Sequence, residues 1–396
     1  MALEGTAEAF GYTDEEWMLK QNLREFVDAE VAPRFMENQS EETANIYYHD
    51  IIRKLGDQGF LRAWIPEALG GGGMRPHALA IIGEEVARGC GGIAIAAIEH
   101  PLLAMRLRAT PGAFEKWFNP ILDGEVFFAG STCSPEGQAN YPEQADLVTF
   151  DEDAQEWVLN GEKAFCSGGT IADVLLVSGL KDGDLHMFIM DAKNTPGLTC
   201  HANPEFGNAP FYASYTLDNV RVPKDFGGPT PGGCVNREAQ HPAPISRLFA
   251  AGVAAMNIGA AEAALEKTID YLKVRTYNFK PIANYGNVAE RLVQLKVQLE
   301  SARALMNTAL NAIAANQDEA VIYTAMAKGY CSDVARNITS ECVQYWGTLG
   351  ANIESGISRH MCDTVGFGIG VSPTSVQNAS VARLMGFDTG NDVHPC

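Results

Sequence analysis

The segment Trp157–Gly169 reads WVLNGEKAFCSGG and carries the most information about this chain. It opens with a short run typical of a β-strand and then reaches Asn160-Gly161, a pair that favours a turn. Similar short runs, bounded by Asn, Asp, Gly or Pro, lie on both sides of it, at 145–150, 174–178, 187–190 and 213–217. This pattern predicts a mostly antiparallel β domain between about residues 127 and 223.

Helical patterns flank the predicted β domain. Residues 23–31 place apolar side chains on one helix face, and the Ala-rich stretches 248–272 and 288–315 predict long helices that pack closely. The glycine- and proline-rich stretch 226–233 predicts a linker. We therefore predict an α+β fold of three domains. These are an N-terminal α-helical domain (1–124), a middle antiparallel β domain (125–234) and a C-terminal four-helix bundle (235–396).

Composition and charge exclude several classes of partner. The chain has 396 residues, of which 46% are hydrophobic, enough for a large core. A net charge of -20 disfavours non-specific binding to nucleic acid or to an anionic membrane, because like charges repel. The first residues lack a cationic and apolar signal, and no stretch reaches about 20 consecutive apolar residues. We expect small molecules, or proteins with basic patches, as partners.

The cysteines indicate the compartment. There are nine, none in a CxxC pair, which argues against a zinc site or a redox dithiol. An odd, dispersed set is typical of a reducing environment, so we expect a cytoplasmic protein without a metal. Cys166 lies inside the central segment, where it is either a cofactor contact or a small buried filler.

The central segment resembles the flavin-contacting strand-turn-strand of the acyl-CoA dehydrogenase superfamily, and the order of the three domains resembles that family along nearly the whole chain. The resemblance implies FAD as the cofactor, a CoA thioester as the substrate and electron-transfer flavoprotein as the electron partner. It also implies an oligomer, a dimer or homotetramer, because a neighbouring subunit supplies part of the cofactor site in that family.

The closest motif match is to the flavin contact. Gly161-Glu162-Lys163 followed by Phe165-Cys166-Ser167 is similar to the family's NGxK-W-I-T segment. The resemblance implies that the Phe165 ring packs on the flavin and that the Ser167 hydroxyl bonds near N5, the atom that accepts the hydride. Phe165 could equally be an ordinary buried strand residue.

Further cofactor contacts follow from the resemblance. Arg275 is similar to the arginine of the family's RxxFG segment, which pairs with the FAD pyrophosphate of a neighbouring subunit, although Asn278-Phe279 replaces the Phe-Gly. Residues 344–350, QYWGTLG, resemble the QxxGGxG turn, in which glycines let the backbone approach the cofactor. The contacts implied on this side are Gln344, Gly347, Thr348 and Thr374.

The substrate side departs from the family. Residues 131–140 align with the TEPxAGSD loop, but Cys133 and Ala139 replace its flavin-contacting threonine and its CoA-contacting serine. Arg247 matches an arginine near the thioester pocket, or is simply a surface charge. Glu99 lies in a segment that resembles the far end of the acyl pocket.

The position of the catalytic base holds no acid. Dehydrogenation needs a carboxylate near the α-carbon, which most of the family carries eight residues after the Asp that aligns with Asp363. That position is Val371 here, and the alternative position, just before Arg247, is Ser246. Glu99 remains as a candidate acid or base, or as a hydrogen-bond partner for a polar acyl tail.

These residues lead to one expectation and three alternatives. We expect an FAD-dependent oxidoreductase that acts on the CH–CH group of a CoA thioester, as a dehydrogenase or as an enoyl-CoA reductase. The eroded motifs also fit a subunit of a hetero-oligomer that lacks the base. Loss of the base and of the CoA-loop serine fits a flavin monooxygenase, or a thioester enzyme that breaks a bond other than α-C–H. Fold alone does not decide among them.

Overall fold

The computed structural model describes residues 7–135, 148–182, 184–203, 211–229 and 244–388. The helices are α1 Ala7–Phe10, α2 Asp14–Phe26, α3 Glu41–Asp57, α4 His77–Gly89, α5 Gly91–Arg106, α6 Pro111–Leu122, α7 Pro244–Val274, α8 Gly286–Ala314, α9 Ala320–Trp346, α10 Ile357–Ile369 and α11 Thr374–Leu384. The strands are β1 Phe128–Ser131, β2 Val148–Asp151, β3 Glu156–Cys166, β4 Val174–Lys181, β5 Asp184–Asp191, β6 Leu198–Asn203, β7 Tyr212–Pro223, β8 Gly227–Pro229, β9 Thr276–Tyr277 and β10 Lys280–Pro281.

The described chain forms two compact units. The helical unit contains residues 7–36, 74–94 and 247–388, and the mixed unit contains 37–73 and the described residues of 95–246. The predicted order of helices, strands and helices along the sequence is confirmed. The boundaries after residues 124 and 234 stay a prediction.

Two four-stranded sheets form the centre of the mixed unit. Their orders are β1-β4-β5-β8 and β2-β3-β7-β6. Every pairing in them is antiparallel except the parallel pair β1 and β4. Apolar side chains such as Leu159, Leu175 and Phe188 form a buried core in this unit. The five strand-like runs read from the sequence correspond to β2, β3, β4, β5 and β7.

One segment differs from its prediction. The glycine-rich stretch 226–233 was predicted to be a linker, but Gly227–Pro229 is strand β8, paired with β5. The reason is close packing, because a Cβ on Gly227 would lie 2.4 Å from the Phe188 ring and 2.8 Å from Trp157. Glycine is needed here for backbone approach and not for flexibility. Residues 230–233 lie outside the described part of the chain.

Helix α5 is attached to strand β1 through His100. The His100 side chain is fully buried, its Nε2 accepts a hydrogen bond from the Phe128 backbone N–H at 3.0 Å, and its Nδ1 donates to Ala96 O at 2.8 Å. Burial lowers the pKa of His100 to about 4, so the ring is neutral at physiological pH. This bond fixes the register of α5, and therefore of Glu99, against the sheet.

Small side chains allow the long helices of the helical unit to pack closely. A Cβ on Gly259 of α7 would lie 1.8 Å from Glu84 O of α4, so these two helices touch through their backbones. Alanines on α7 and leucines on α8 fill the adjoining core, including Ala254, Ala261, Leu295 and Leu299. The Ala-rich stretches were predicted to pack in this way.

A largely buried charge network joins the helices of the same unit. Glu262 of α7 accepts hydrogen bonds from four cationic side chains on α2, α4 and α8 at 3.0 to 3.4 Å. Buried charges of this kind are stable only when paired, and removal of one partner leaves the others uncompensated. The buried charge network consists of Lys20, Arg24, Glu84, Glu85, Arg88, Glu262, Lys296 and Arg303.

Helix α7 was not expected to resemble a membrane span. Within the described residues, Ile245–Val274 is long and apolar enough to cross a membrane, but 94% of its most apolar window is buried inside the protein. Burial of this extent is typical of a core helix.

Candidate active site

The Phe165 ring stands out of an otherwise buried part of strand β3. The pairing of β3 with β7 shifts register between Lys163 and Cys166, which marks a β-bulge. Phe165 lies in this bulge with φ of +56° and is 61% exposed, whereas Ala164 and Cys166 on either side are buried. A bulky residue at positive φ is rare, and strain of this kind concentrates at functional sites. The bulge thus presents an aromatic face for a planar ligand.

The neighbours of Phe165 are Ser167 and Cys133. Ser167 is half-buried and follows the bulge directly. Cys133, also half-buried, lies beside β3, because its carbonyl accepts the Ala164 N–H at 3.0 Å. The mixed unit therefore brings together the predicted contacts Cys133, Phe165 and Ser167. Ala139 lies outside the described residues.

Cys166 points into the core of the mixed unit. Its side chain is fully buried, and burial raises the pKa of its thiol well above the usual range, with a smaller contribution from Glu99. The thiol therefore stays protonated and is a poor nucleophile.

The carboxyl of Glu99 is mostly protonated at neutral pH. It is half-buried on α5, and burial raises the pKa of its carboxyl to about 8. Among the described residues no hydrogen bond or ion pair to this carboxyl is recorded. A protonated carboxyl of this kind can donate one hydrogen bond to a ligand, or give up a proton.

In the helical unit, Val371 lies in a strained turn between α10 and α11. Val371 has φ of +54° and Ser372 has φ of +72°, so two consecutive residues adopt the left-handed conformation. Such a conformation costs on the order of 1–3 kcal/mol for each non-glycine residue and persists only where surrounding contacts fix it. Gln377 Nε2 donates to Val371 O at 2.8 Å and supplies one of these contacts.

Thr374 begins α11, next to the strained turn. Its hydroxyl donates to Asp333 Oδ1 of α9 at 3.2 Å and lies 3.5 Å from Gly329 O. Both bonds attach α11 to α9. A cofactor contact through Thr374 stays a prediction, and the hydroxyl already has protein partners.

The ends of α7 and α9 lie together at one end of the helical unit. Tyr271 of α7 stacks on Trp346 of α9 with ring centroids 4.2 Å apart, and Trp346 Nε1 donates to Thr268 at 3.1 Å. Arg275 follows α7 by one residue and is exposed, while Gly347 ends α9. The structure therefore places these two predicted cofactor contacts at the same end.

The turn after α9 is built for close backbone approach. Gly347 adopts φ +59° and ψ −138°, a conformation nearly restricted to glycine. Among the described residues, apart from its chain neighbours, no atom lies within 4 Å of where its Cβ would be. Gln344 and Thr348 are exposed beside it. A Cβ on Gly350 would lie 2.3 Å from Val343 O, so this glycine is needed to fold the turn back on α9.

A short hairpin extends beyond Arg275. Strands β9 and β10 pair across Asn278 and Phe279, both at positive φ, and the Phe279 side chain is fully exposed. A bulky aromatic in this conformation is unfavourable in an isolated chain.

Ser246 and Arg247 lie in the first turns of α7. Both are half-buried, and Arg247 Nε is buried without a hydrogen-bond partner among the described residues. Neither Ser246 nor Val371 can remove a carbon-bound proton, since one is a neutral hydroxyl and the other is a hydrocarbon. Among the described residues no group of three or more His, Cys, Asp or Glu side chains could hold a metal ion.

Three structurally important residues were not found from the sequence. His100 fixes α5, and Gln377 and Lys328 hold the turn that contains Val371. A lysine inside an Ala-rich apolar stretch is a signal that the sequence offers for Lys328. Its hydrogen-bond partners could not be predicted, because they lie 40 and 44 residues away in sequence.

Comparison with known proteins identifies the family. Residues 13–125 match the profile of the acyl-CoA dehydrogenase N-terminal domain, and residues 248–386 match that of the acyl-CoA dehydrogenase C-terminal domain. The chain belongs to the acyl-CoA dehydrogenase superfamily. The predicted family is thereby confirmed, while the roles of Phe165, Ser167 and residues 344–350 stay predictions.

Individual relatives span almost the full length. Glutaryl-CoA dehydrogenase of Desulfococcus multivorans is 29% identical over 374 residues, covering 89% of this chain and 92% of the relative. The 3-sulfinopropanoyl-CoA desulfinase of Variovorax paradoxus is 24% identical over 407 residues, covering 95% and 96%. The structure of butyryl-CoA dehydrogenase from Megasphaera elsdenii superposes with a TM-score of 0.82 at 25% identity, covering 95% of this chain and 99% of that one.

Proposed function

We propose that this protein is an FAD-dependent oxidoreductase that acts on the CH–CH group of a CoA thioester. The observation that carries the proposal is the strained, exposed Phe165 in the β3 bulge, in the segment whose resemblance to the family implies a flavin contact. Relatives along nearly the whole chain include named acyl-CoA dehydrogenases. Either direction, dehydrogenation or enoyl-CoA reduction, is compatible with this site.

The residues of the mixed unit fit a flavin ring. Phe165 offers an aromatic face, Ser167 offers a hydroxyl two residues further on, and the buried Cys166 between them anchors the strand. Bound FAD would supply the hydride acceptor or donor. The protein itself would hold the flavin ring against Phe165 and place a hydrogen-bond donor beside that ring.

Arg275 supports the proposal of an oligomer, either a dimer or a homotetramer. It is exposed, no side-chain hydrogen bond or ion pair of Arg275 is recorded among the described residues, and its planar guanidinium suits a diphosphate of a neighbouring chain. The hairpin beyond it exposes Tyr277 and Phe279, which a second copy could cover. We further propose a cytoplasmic location and electron-transfer flavoprotein as the electron partner.

The proton chemistry of the site differs from that of most of the family. Val371 has a hydrocarbon side chain and takes up no proton. The neutral carboxyl of Glu99 either donates a hydrogen bond to a polar group on the acyl chain or serves as a proton donor. A substrate with a polar distal group therefore fits Glu99 better than a simple hydrocarbon chain.

The test is a flavin titration. The chain is purified, its flavin spectrum is recorded, and it is titrated with saturated acyl-CoA and α,β-unsaturated enoyl-CoA esters, with and without polar acyl tails. Bleaching of the oxidised flavin by a saturated ester, or reoxidation of the reduced flavin by an enoyl ester, supports the proposal. A correctly folded protein that binds no FAD, or a bound flavin that responds to none of these esters, rejects it.

A second candidate is a CoA-thioester enzyme that breaks a bond other than α-C–H. Val371 favours it, because such a reaction needs no carboxylate at that position. The match to a protein named as a desulfinase is in line with it. Incubation with 3-sulfinopropanoyl-CoA, followed by mass spectrometry, tests it. Hydrolytic cleavage of the C–S bond, in which water supplies the hydrogen on carbon and the third oxygen of the released sulfite, consumes no electron acceptor and supports this candidate over the first one.

A further inference from the structure

The turn that contains Val371 is held by a lysine from another helix. Lys328 lies in α9 and is fully buried. Its ammonium donates to Gly368 O at 2.8 Å and to Ser372 O at 2.6 Å. One bond therefore reaches the last turn of α10, and the other reaches the strained residue that follows Val371. The ammonium spans the turn and fixes both of its ends.

The position of Gly368 O in the last turn of α10 explains why a cation is favoured here. The carbonyls in the last turn of a helix have no intrahelical partner, and the helix dipole makes that end negative. An ammonium donates to such carbonyls more strongly than a neutral group does. Burial lowers the pKa of Lys328 to about 8, with Asp333 acting in the opposite direction, so most of the side chain is charged at neutral pH.

We propose that Lys328 is a positioning residue of the active site, which holds the turn 368–372 in its strained conformation and so fixes the side chain of Val371 against the substrate. The inference rests on the proposed function, because it assigns the position 371 side chain to the reaction site. Gln377 assists by holding Val371 O, but it contacts only one carbonyl. Lys328 is the group that connects the helix end to the turn.

The strain makes a direct structural test possible. Two consecutive residues at positive φ relax when an outside restraint is removed, so loss of the ammonium should loosen the turn more than the rest of α10. Replacement of Ser372 by glycine removes part of the strain, because glycine adopts positive φ without a steric penalty. The loosening caused by loss of Lys328 should therefore be smaller in a Ser372→Gly background.

The variants are Lys328→Met and a matched control, Lys267→Met. Lys267 also contacts α10, through His360 at 3.2 Å, but near the start of that helix and far from the turn in sequence. Hydrogen exchange is measured by mass spectrometry on peptides that cover 366–374, with and without Ser372→Gly. We expect faster exchange at the turn in Lys328→Met only, and a smaller effect in the Ser372→Gly background.

Turnover by the flavin-loaded variants provides the second readout. We expect kcat of Lys328→Met to fall about 10- to 100-fold with little change in KM, because the substrate binds but the reacting groups are misplaced. Lys328→Arg should recover part of the loss. If Lys328→Met fails to fold, Lys328→Gln, which keeps a donor without the charge, is measured under the same criteria.

The outcomes separate this inference from the proposed function. Unchanged exchange at 366–374 in Lys328→Met, or a loosened turn with unchanged kcat, overturns the positioning role. If the wild-type protein turns over no CoA thioester, the proposed function is rejected. The catalytic part of this inference is then rejected with it. A fall in kcat together with a loosened turn, absent in Lys267→Met, supports both.

Discussion

The conformation at position 371 depends on contacts from outside the turn. Lys328 and Gln377 donate hydrogen bonds to carbonyls of the turn that contains Val371. Val371 is predicted to stand where most of the family carries its catalytic carboxylate. A hydrocarbon side chain cannot take up the α-proton, so under our proposal dehydrogenation needs another group as the base.

We predict that the unmodified protein is a poor dehydrogenase for simple straight-chain acyl-CoAs. Without a positioned base, proton abstraction loses a contribution of roughly 100- to 10,000-fold. Turnover of butyryl-CoA and octanoyl-CoA is measured with an artificial electron acceptor, for wild type and for Val371→Glu. We expect the variant to gain activity, because the turn already presents its side chain.

Ordinary turnover by the wild type, on the order of 1 to 100 per second, would contradict this prediction. The next variant would then be Glu99→Gln, which keeps the shape of the side chain and removes its proton. A loss of activity in Glu99→Gln alone would assign the base to that carboxyl.

Part of the proposed site can be predicted from the sequence at this scale. Phe165 and Ser167 belong to one continuous segment, so their motif could be read directly. Lys328 could not be assigned in the same way, because its partners Gly368 and Ser372 come from a helix end and a turn that meet it only in the folded chain. The positive φ of Val371 was equally invisible, since valine is normally unfavourable there.

Among the elements, regular strands and helices were predictable where local composition decides them. Strand β8 was missed, because its glycines signal a linker locally while their actual role is close packing under Phe188 and Trp157. The attachment of helices to sheets is likewise a long-range property. Helix α3, for example, contacts Asp173, next to strand β4, through a single histidine, His49.

We predict that His49 makes the stability of the mixed unit depend on pH. Its Nδ1 lies 2.8 Å from Asn45 O and its Nε2 lies 2.9 Å from the Asp173 carboxylate, and both partners only accept hydrogen bonds. The ring must therefore be protonated on both nitrogens. Burial alone would lower the pKa of His49, but the bonds to Asp173 and Asn45 outweigh it and raise the pKa. Lys193 also binds Asp173 and opposes the shift.

The direction of this pH dependence follows from the raised pKa of His49. The stabilisation is fully present below the ordinary histidine pKa of about 6.5 and is lost as pH rises through the higher pKa of the folded state. The half-exposed pair should contribute no more than about 1 kcal/mol. The free energy of unfolding is measured from pH 5.5 to 8.5 for wild type, for His49→Gln and for the control His201→Gln. If wild type and His49→Gln show the same pH dependence, the ion pair has no effect on stability.

At the scale of the whole molecule, the buried charge network connects parts of the chain that are far apart in sequence. Lys20 and Arg24 come from the first helices, and Arg303 comes from α8. The sequence shows these residues as ordinary charges on amphipathic helices, so the network could not be predicted from local pattern. Its ion pairs link α2 and α4 to α7 and α8.

We predict that Glu262→Gln destabilises the protein by about 3 kcal/mol, because its buried partners Arg88 and Arg303 each lose one of their counter-charges. Chemical denaturation of wild type, Glu262→Gln and the exposed control Glu290→Gln measures the effect. The control should differ from wild type by less than about 0.5 kcal/mol. Equal stability of the two variants would show that the network contributes little.

Assembly is the last property at this scale. Arg275, the exposed hairpin with Phe279, and the open turn at Gly347 lie at one end of the helical unit. An exposed guanidinium suited to a diphosphate, beside exposed aromatic surface, indicates that a second chain completes this end. We therefore predict that the active form is at least a dimer, in which Arg275 of one chain binds the FAD of another.

The decisive variant is Arg275→Ala, compared with Lys273→Ala, whose side chain is exposed two residues earlier and only pairs with Asp270. Flavin retention after gel filtration and mass from light scattering are measured together. We expect Arg275→Ala to lose flavin and to shift toward smaller species at low protein concentration, while Lys273→Ala matches wild type. Both effects should arise together, because the same side chain links cofactor and assembly. A wild-type monomer that keeps its flavin would show instead that one chain forms a complete cofactor site.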